Sequence, residues 1–464
     1  MADSMALDET ALAAISPIDG RYATKTAPLR DFFSEQALIR YRILVEVEYL
    51  IALRLLPLPQ LESCPVEKLL ALRDLYKEYK PEYALRVKAI ERTTNHDVKA
   101  VEYFLKEQLE AVGLSAYREF VHFGLTSQDI NNTAFPLMLK YAAQAEYFPR
   151  MHRLVSKLKE LAIAWKDFPM LAHTHGQPAT PTRLGKEVYV FVERLTVQLQ
   201  ALRVVPVSAK FGGATGNLNA HYAAYPQIDW EMFANKFVND TLGLDRSKTT
   251  TQIEHYDNLA ATCDGLRRIN TILIDLCRDF WLYISMDYFR QVVVPGEVGS
   301  SAMPHKVNPI DFENAEGNLG MANAVYEFLA QKLPISRMQR DLTDSTVIRN
   351  IGVPIAHTVI AIESILRGFG RIAVHTERMH EDLEAHWVVV SEALQTILRR
   401  EGYPNAYEAL KRLTRTALPP KKAEMEEFID SLEVSDRVKA EMRAITPFNY
   451  LGLMPEALRD TRER

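Results

Sequence analysis

Apolar residues recur at steps of three and four over long stretches of this chain, which is the spacing of one face of a helix. From Ser34 to Leu56 the pattern is helical until Pro57-Leu58-Pro59 stops it. Leu184, Val188, Phe191, Leu195, Leu199 and Leu202 form a second stripe. Thr180 and Pro181 upstream read as N-cap and first helical residue of the helix that would carry it. The run from Ile269 to Phe289 is apolar on more than one side, so such a helix needs neighbours around most of its circumference. Pro309 to Leu333 predicts another long helix, closed by Pro334. A fifth runs from about Ser345 to Leu366, with Pro354 expected to kink or break it.

These long helices fall between residues 124 and 372 and predict a central bundle. Helices with so little polar face suggest that the outside of the bundle is itself covered by self-association. Residues 1–123 read as an N-terminal helical domain. Residues 373–464, more charged and broken by Pro404, Pro419-Pro420 and Pro447, read as a C-terminal helical domain. Glycine is scarce, 19 in 464 residues, or about 4% against a usual 7%, which favours helices over sheets. The expected class is all-α.

Charge and cysteine usage narrow the function. The net charge is −5 with no basic block, so no electrostatic footprint for nucleic acid exists. Three cysteines (Cys64, Cys263, Cys277) without CxxC spacing suit a reducing cytosol. The acidic N-terminus does not read as a signal peptide. No run of about 18 uncharged apolar residues marks a membrane span. A cytoplasmic enzyme or scaffold is expected.

GSSAMPHKVNP, Gly299 to Pro309, has neither helical nor strand periodicity. Gly296 and Gly299 open it, and Asn308-Pro309 reads as an N-cap and first helical residue. Lys306 and Asn308 would then sit at a helix N-terminus, where free N–H groups and the lysine charge attract an anion. Ser300 and Ser301 bring hydroxyls close by, and from composition either could serve as a chemical group. The same residue types would also suit a plain Gly/Ser connector.

The order of these eleven residues resembles the signature loop of the fumarase/aspartase superfamily. That resemblance implies an all-α, three-domain fold with a central long-helix bundle, assembled as a homotetramer. It implies cleavage of C–N or C–O bonds by β-elimination, releasing fumarate, with neither cofactor nor metal. SPIDGRY (16–22), ERTTNHDVKAVEYFLKE (91–107), HFGLTSQDINNTA (122–134), THGQPATP (174–181) and QRDLTDSTVIRN (339–350) resemble the branch acting on succinylated purine nucleotides, in its bacterial form. Its substrates are adenylosuccinate and SAICAR, and its products are AMP, AICAR and fumarate. Argininosuccinate lyases and fumarases would share the loop but not need the 339–350 and 91–107 stretches in this form. Some members of the superfamily, such as lens crystallins, have lost catalysis and serve structurally.

The chemistry implied is removal of a proton from the carbon next to a carboxylate, which turns that carboxylate into a dianion. Fixed cations and N–H donors must meet the charge. By resemblance Ser300 is the general base, and the loop is a lid. Lys306 and Asn308 meet the dianion. His175 is the general acid for the leaving nitrogen, and Glu313 holds it. His173, two residues earlier, falls off the family's catalytic position. Ser345 and Arg349, four apart on one helical face, are expected to reach one anion, with Arg340 just upstream. Arg21, Tyr22, Asn95, His96 and Asp97 match further ligand contacts. His122, Thr126, Ser127 and Gln252 match contacts to the succinyl end. In this superfamily three subunits contribute to each site.

Overall fold

The computed structural model describes residues 9–292, 296, 303, 306–414 and 420–459. Helices dominate them, and strands form only three two-stranded sheets. The long helices are α1 (Glu35–Arg54), α2 (Pro81–Thr94), α3 (Asp97–Ala111), α4 (Ser127–Ala142), α5 (Phe148–Ala164), α6 (Leu184–Arg203), α7 (Asp257–Ser285) and α8 (Ile310–Lys332). A short α9 (Thr343–Ile348) precedes α10 (Gly352–Phe369). The chain divides into two compact units. One comprises Met1–Met151, Gln198–Thr271 and Gly317–Glu363; the other comprises His152–Val197, Ile272–Glu316 and Ser364–Arg464.

The hydrophobic stripes land where the periodicity puts them. Ser34 caps α1 by accepting from the Ala37 amide at 3.1 Å. Ile39, Ile43, Val47 and Leu50 of α1 pack with Val101, Phe104 and Leu105 of α3 in the first unit. In the second unit, Leu394, Leu398, Leu410, Met425, Val438 and Met442 close a separate core. Each fully buried aliphatic side chain of this kind contributes about 1.5–3 kcal/mol of transfer free energy.

Three local expectations are corrected. Thr180 and Pro181 do not start α6; they lie in β2 (Gln177–Arg183), paired antiparallel with β1 (Pro169–Thr174). The register shifts between Met170 and Ala172, which leaves Thr180 and Pro181 opposite Leu171 alone. A bulge in a two-stranded ribbon tolerates a proline because no ladder bond is needed there. The Thr180 hydroxyl donates to Glu392 at 2.6 Å instead of capping a helix. At α8 the helix starts at Ile310, so Pro309 is the residue before it, one place later than the Asn308-Pro309 pattern implied. The break near Pro354 falls at residues 349–351, and Pro354 sits in the first turn of α10, where its missing N–H breaks no helical bond.

The stretch Thr343–Phe369 is long and apolar enough to cross a membrane, which a search for wholly uncharged runs does not find, yet most of its apolar window is buried. Val359, Ile360, Ala361, Ile362 and Ile365 are completely buried. This is how a buried core helix reads.

Candidate active site

In the first unit the site grows from an unusual interior. Arg42, Glu46, Glu102, Gln128, Asp129, Asn131, Asn132, Lys210 and Asp344 are all buried, and buried polar side chains of this kind must find partners. Pro136 inside α4 has no N–H for the carbonyl of Asn132, four residues back. The Lys210 amide takes that carbonyl at 3.3 Å. This ties the 208–213 segment to α4.

The Lys210 ammonium then reaches Asp129 Oδ1 at 2.7 Å, with both side chains completely buried. The amides of Gly212 (2.8 Å) and Gly213 (3.1 Å) donate to the same carboxylate. Its other oxygen accepts from the Thr126 amide at 2.8 Å, closing a capping box at the start of α4. One carboxylate therefore fixes the Thr126-Ser127 turn and the glycine loop together.

The TTNHD stretch is a helix-to-helix turn. Asn95 ends α2 in the left-handed region (φ 51°) and His96 caps α3 through Nδ1, accepting from the Lys99 amide at 3.2 Å. Ser127 Oγ lies 3.4 Å from His96 Nε2. Asp97 opens α3 and receives Arg42 Nη2 and Arg349 Nη2 on the same oxygen, each at 2.7 Å. Burial alone would raise its pKa. The two arginines and the Val98 amide outweigh burial and hold the carboxyl at about 2.

Arg340 anchors a second cluster. Its Nη1 donates to Gln252 Oε1 (3.2 Å) and its Nη2 to Ser345 Oγ (3.0 Å). Gln128 Nε2 reaches both Ser345 Oγ and Asp344 Oδ2 at 3.2 Å. Ser345 therefore pairs with Arg340. Arg349, just past the end of α9, faces Asp97 and Glu35, the latter at 3.0 Å.

His122 has φ 59° and its Nδ1 lies 2.5 Å from Glu46 Oε1. Burial disfavours its protonated form. Glu46, then Glu102 and Asp129, more than offset that and raise its pKa. Arg21 is exposed, and Tyr22 precedes a short helix, its ring beneath the Lys25 ammonium at 5.8 Å.

The second unit holds the other candidates. His175 and Gly176, with φ of 55° and 72°, form the two-residue turn between β1 and β2, and His175 is exposed at its tip. His173 is also exposed, on β1. Lys306 is exposed before α8, its amide donating to Met303 O at 3.0 Å, and Asn308 is half-buried beside it. Glu313 accepts from the Trp281 indole at 3.0 Å. Among the described residues no hydrogen bond joins it to His175. Ser300 and Ser301 lie outside the described residues. All the expected ligand contacts thus fall in the first unit, and His175, Lys306, Asn308 and Glu313 fall in the second.

The buried partners Glu46, Gln128, Asp129, Lys210, Tyr256 and Asp344 escape a reading of the sequence. Only Asp129 leaves a local signal, standing three residues after Thr126 in the pattern of a capping box.

Residues 20–324 match the lyase family profile, and residues 336–451 match that of the adenylosuccinate lyase C-terminal domain. The adenylosuccinate lyase of Dictyostelium discoideum is 55% identical, over 96% of this chain and 97% of that protein. The chain belongs to the adenylosuccinate lyase family. The Escherichia coli adenylosuccinate lyase is 46% identical, over 96% of this chain and 98% of its own. Among solved structures, the 3-carboxy-cis,cis-muconate lactonizing enzyme of Pseudomonas putida superposes with a TM-score of 0.70 at 21% identity, over 92% of this chain and 94% of its own. A fumarate lyase from a Mesorhizobium species does so with 0.70 at 19%, over 92% and 95%. Those two likenesses show the fold alone, one of long helices. By its family the chain is a carbon–nitrogen lyase, and its fold is all-α with long helices, as expected.

Proposed function

We propose that the chain cleaves adenylosuccinate to AMP and fumarate, and SAICAR to AICAR and fumarate, in purine nucleotide biosynthesis in the cytoplasm. The 55% identity to an adenylosuccinate lyase over nearly the whole chain carries this reading. The Ser300 alkoxide takes the proton from the carbon next to the succinyl carboxylate, and the electron pair moves onto that carboxylate. Lys306, Asn308 and the N-terminal amides of the 23-residue α8 meet the charge. The C–N bond then breaks. Its electron pair leaves with nitrogen, which takes a proton from His175, the acid that Glu313 supports. Arg340, Ser345 and Arg349 hold the phosphate. Arg21, Tyr22, Asn95, His96 and Asp97 hold the nucleotide, and His122, Thr126, Ser127 and Gln252 hold the succinyl end.

The reading includes three domains (1–123, 124–372 and 373–464) and a homotetramer whose sites draw residues from several copies. Following the ultraviolet absorbance of adenylosuccinate with purified chain tests the activity; no change, with argininosuccinate or malate cleaved instead, would sink it. His175→Ala is expected to lower turnover by about 10²–10⁴-fold while AMP still binds. Light scattering tests the tetramer.

A further inference from the structure

Asp344 is 4% exposed and lies between Tyr256 and Arg340. Its Oδ2 accepts from the Tyr256 hydroxyl at 2.8 Å and from Gln128 Nε2 at 3.2 Å. Tyr256 itself accepts from Asn132 Nδ2 at 2.7 Å, so its single proton is committed to Asp344. Asn132 is oriented in turn, because its Oδ1 accepts from the Glu254 amide at 3.0 Å. The donors therefore run in one direction, from Asn132 through Tyr256 to Asp344. Tyr256 keeps this place at φ 63°, a backbone conformation an aromatic residue rarely adopts. Burial, reinforced by the Asp344 charge, pushes the tyrosine pKa far up, so it remains a donor.

The other face of Asp344 looks at Arg340. Oδ1 lies 3.9 Å from Arg340 Nε, and both atoms are buried with no hydrogen-bond partner among the described residues. Arg340 turns its two Nη atoms to Gln252 and Ser345. A guanidinium grips an oxyanion through a planar fork, so its grip depends on how that plane is held from behind. A carboxylate at the Nε side, itself fixed by a directed hydrogen-bond chain, supplies such a hold.

We propose that Asp344, braced by Tyr256, is a positioning residue that sets the plane of the Arg340 guanidinium. Arg340 and Ser345 then grip the nucleotide phosphate together, and affinity for the phosphate-bearing end depends on the Asn132–Tyr256–Asp344 chain. This rests on Arg340 and Ser345 contacting that phosphate.

The test uses the full-length chain with Tyr256→Phe, which deletes one oxygen, and Asp344→Asn, which keeps the shape. KM and kcat on adenylosuccinate are measured with the inhibition constants of AMP and of fumarate. Tyr256→Phe is expected to raise KM and the AMP constant by about tenfold. Asp344→Asn is expected to raise them more. The fumarate constant should rise much less than the AMP constant, because Gln252 loses only its bond from Arg340 and keeps the one it donates to the Ala214 carbonyl at 3.1 Å, and kcat should fall by less than about threefold. Equal weakening of AMP and fumarate, no change in either, or a Tyr256→Phe chain that unfolds would each overturn the proposal. A wild-type chain that leaves adenylosuccinate intact would sink the proposed activity instead, and calorimetry with AMP would then decide the role of Asp344 by itself.

Discussion

Glu46 Oε1 stands 2.5 Å from His122 Nδ1, with the glutamate side chain completely buried and its second oxygen unpartnered among the described residues. Glu46→Gln leaves the histidine without its counter-charge. Loss of one partner from a buried pair costs about 3 kcal/mol. The pH dependence has a definite sign. His122 has a raised pKa in the folded chain, so the pair's contribution is complete below the unfolded value of about 6.5 and fades as pH rises through the folded one. Urea unfolding of wild type and Glu46→Gln should show the largest gap near pH 6 and a smaller gap near pH 9.

Asp97 gives the opposite sign. Its carboxyl is held at about 2 in the folded chain, below the usual value of about 3.9. Its contribution is therefore present above that usual value and is lost as pH falls through the folded one. Asp97→Asn should cost about 2 kcal/mol at pH 7. Thermal unfolding should show the gap between wild type and variant shrinking from pH 5 to pH 2.

Lys210→Met takes the ammonium partner away from the buried Asp129 carboxylate and leaves it the amides of Thr126, Gly212 and Gly213. About 3–5 kcal/mol of stability should be lost. Because Asp129 also closes the cap at Thr126, hydrogen exchange should speed up at the start of α4 and in the 212–213 loop together. Faster exchange at only one of the two would show that the carboxylate does not join them.

Ser300 and Ser301 separate by activity. Ser300→Ala should lower turnover by about 10²–10⁴-fold, and Ser301→Ala much less. The reverse order in a steady-state assay on adenylosuccinate would move the general base to the second serine.

The long helices were legible in the sequence because their stripes repeat many times, so a stray residue does not hide the period. Boundaries were less so. Thr180-Pro181 has the composition of a helix start, yet the same two residues sit in a strand bulge, because the pairing partner around Leu171 is set by tertiary contacts. The break before α10 was legible from Pro354 but not its position; where α10 begins, a Cβ at Gly352 would stand 2.5 Å from the Phe33 Cβ, a close approach that only folding reveals. The buried partners of the site were the least legible. Asp129, Lys210, Tyr256 and Asp344 stand far apart in the chain, and only folding makes neighbours of them. The protein partners of Ser345 and Arg349, Arg340 and Asp97 respectively, are likewise set by folding and not by helical spacing.

The hairpin tip at His175 has a consequence for anyone who edits it. A non-glycine residue at φ 55° is tolerated best when it is asparagine or aspartate. Alanine at this position removes an imidazole and at the same time bends the ribbon against its preference, so one substitution carries two losses. Asparagine keeps the bend and deletes only the imidazole, the group proposed as the acid. Comparing the two side by side separates proton transfer from architecture at a residue where a single variant would confound them.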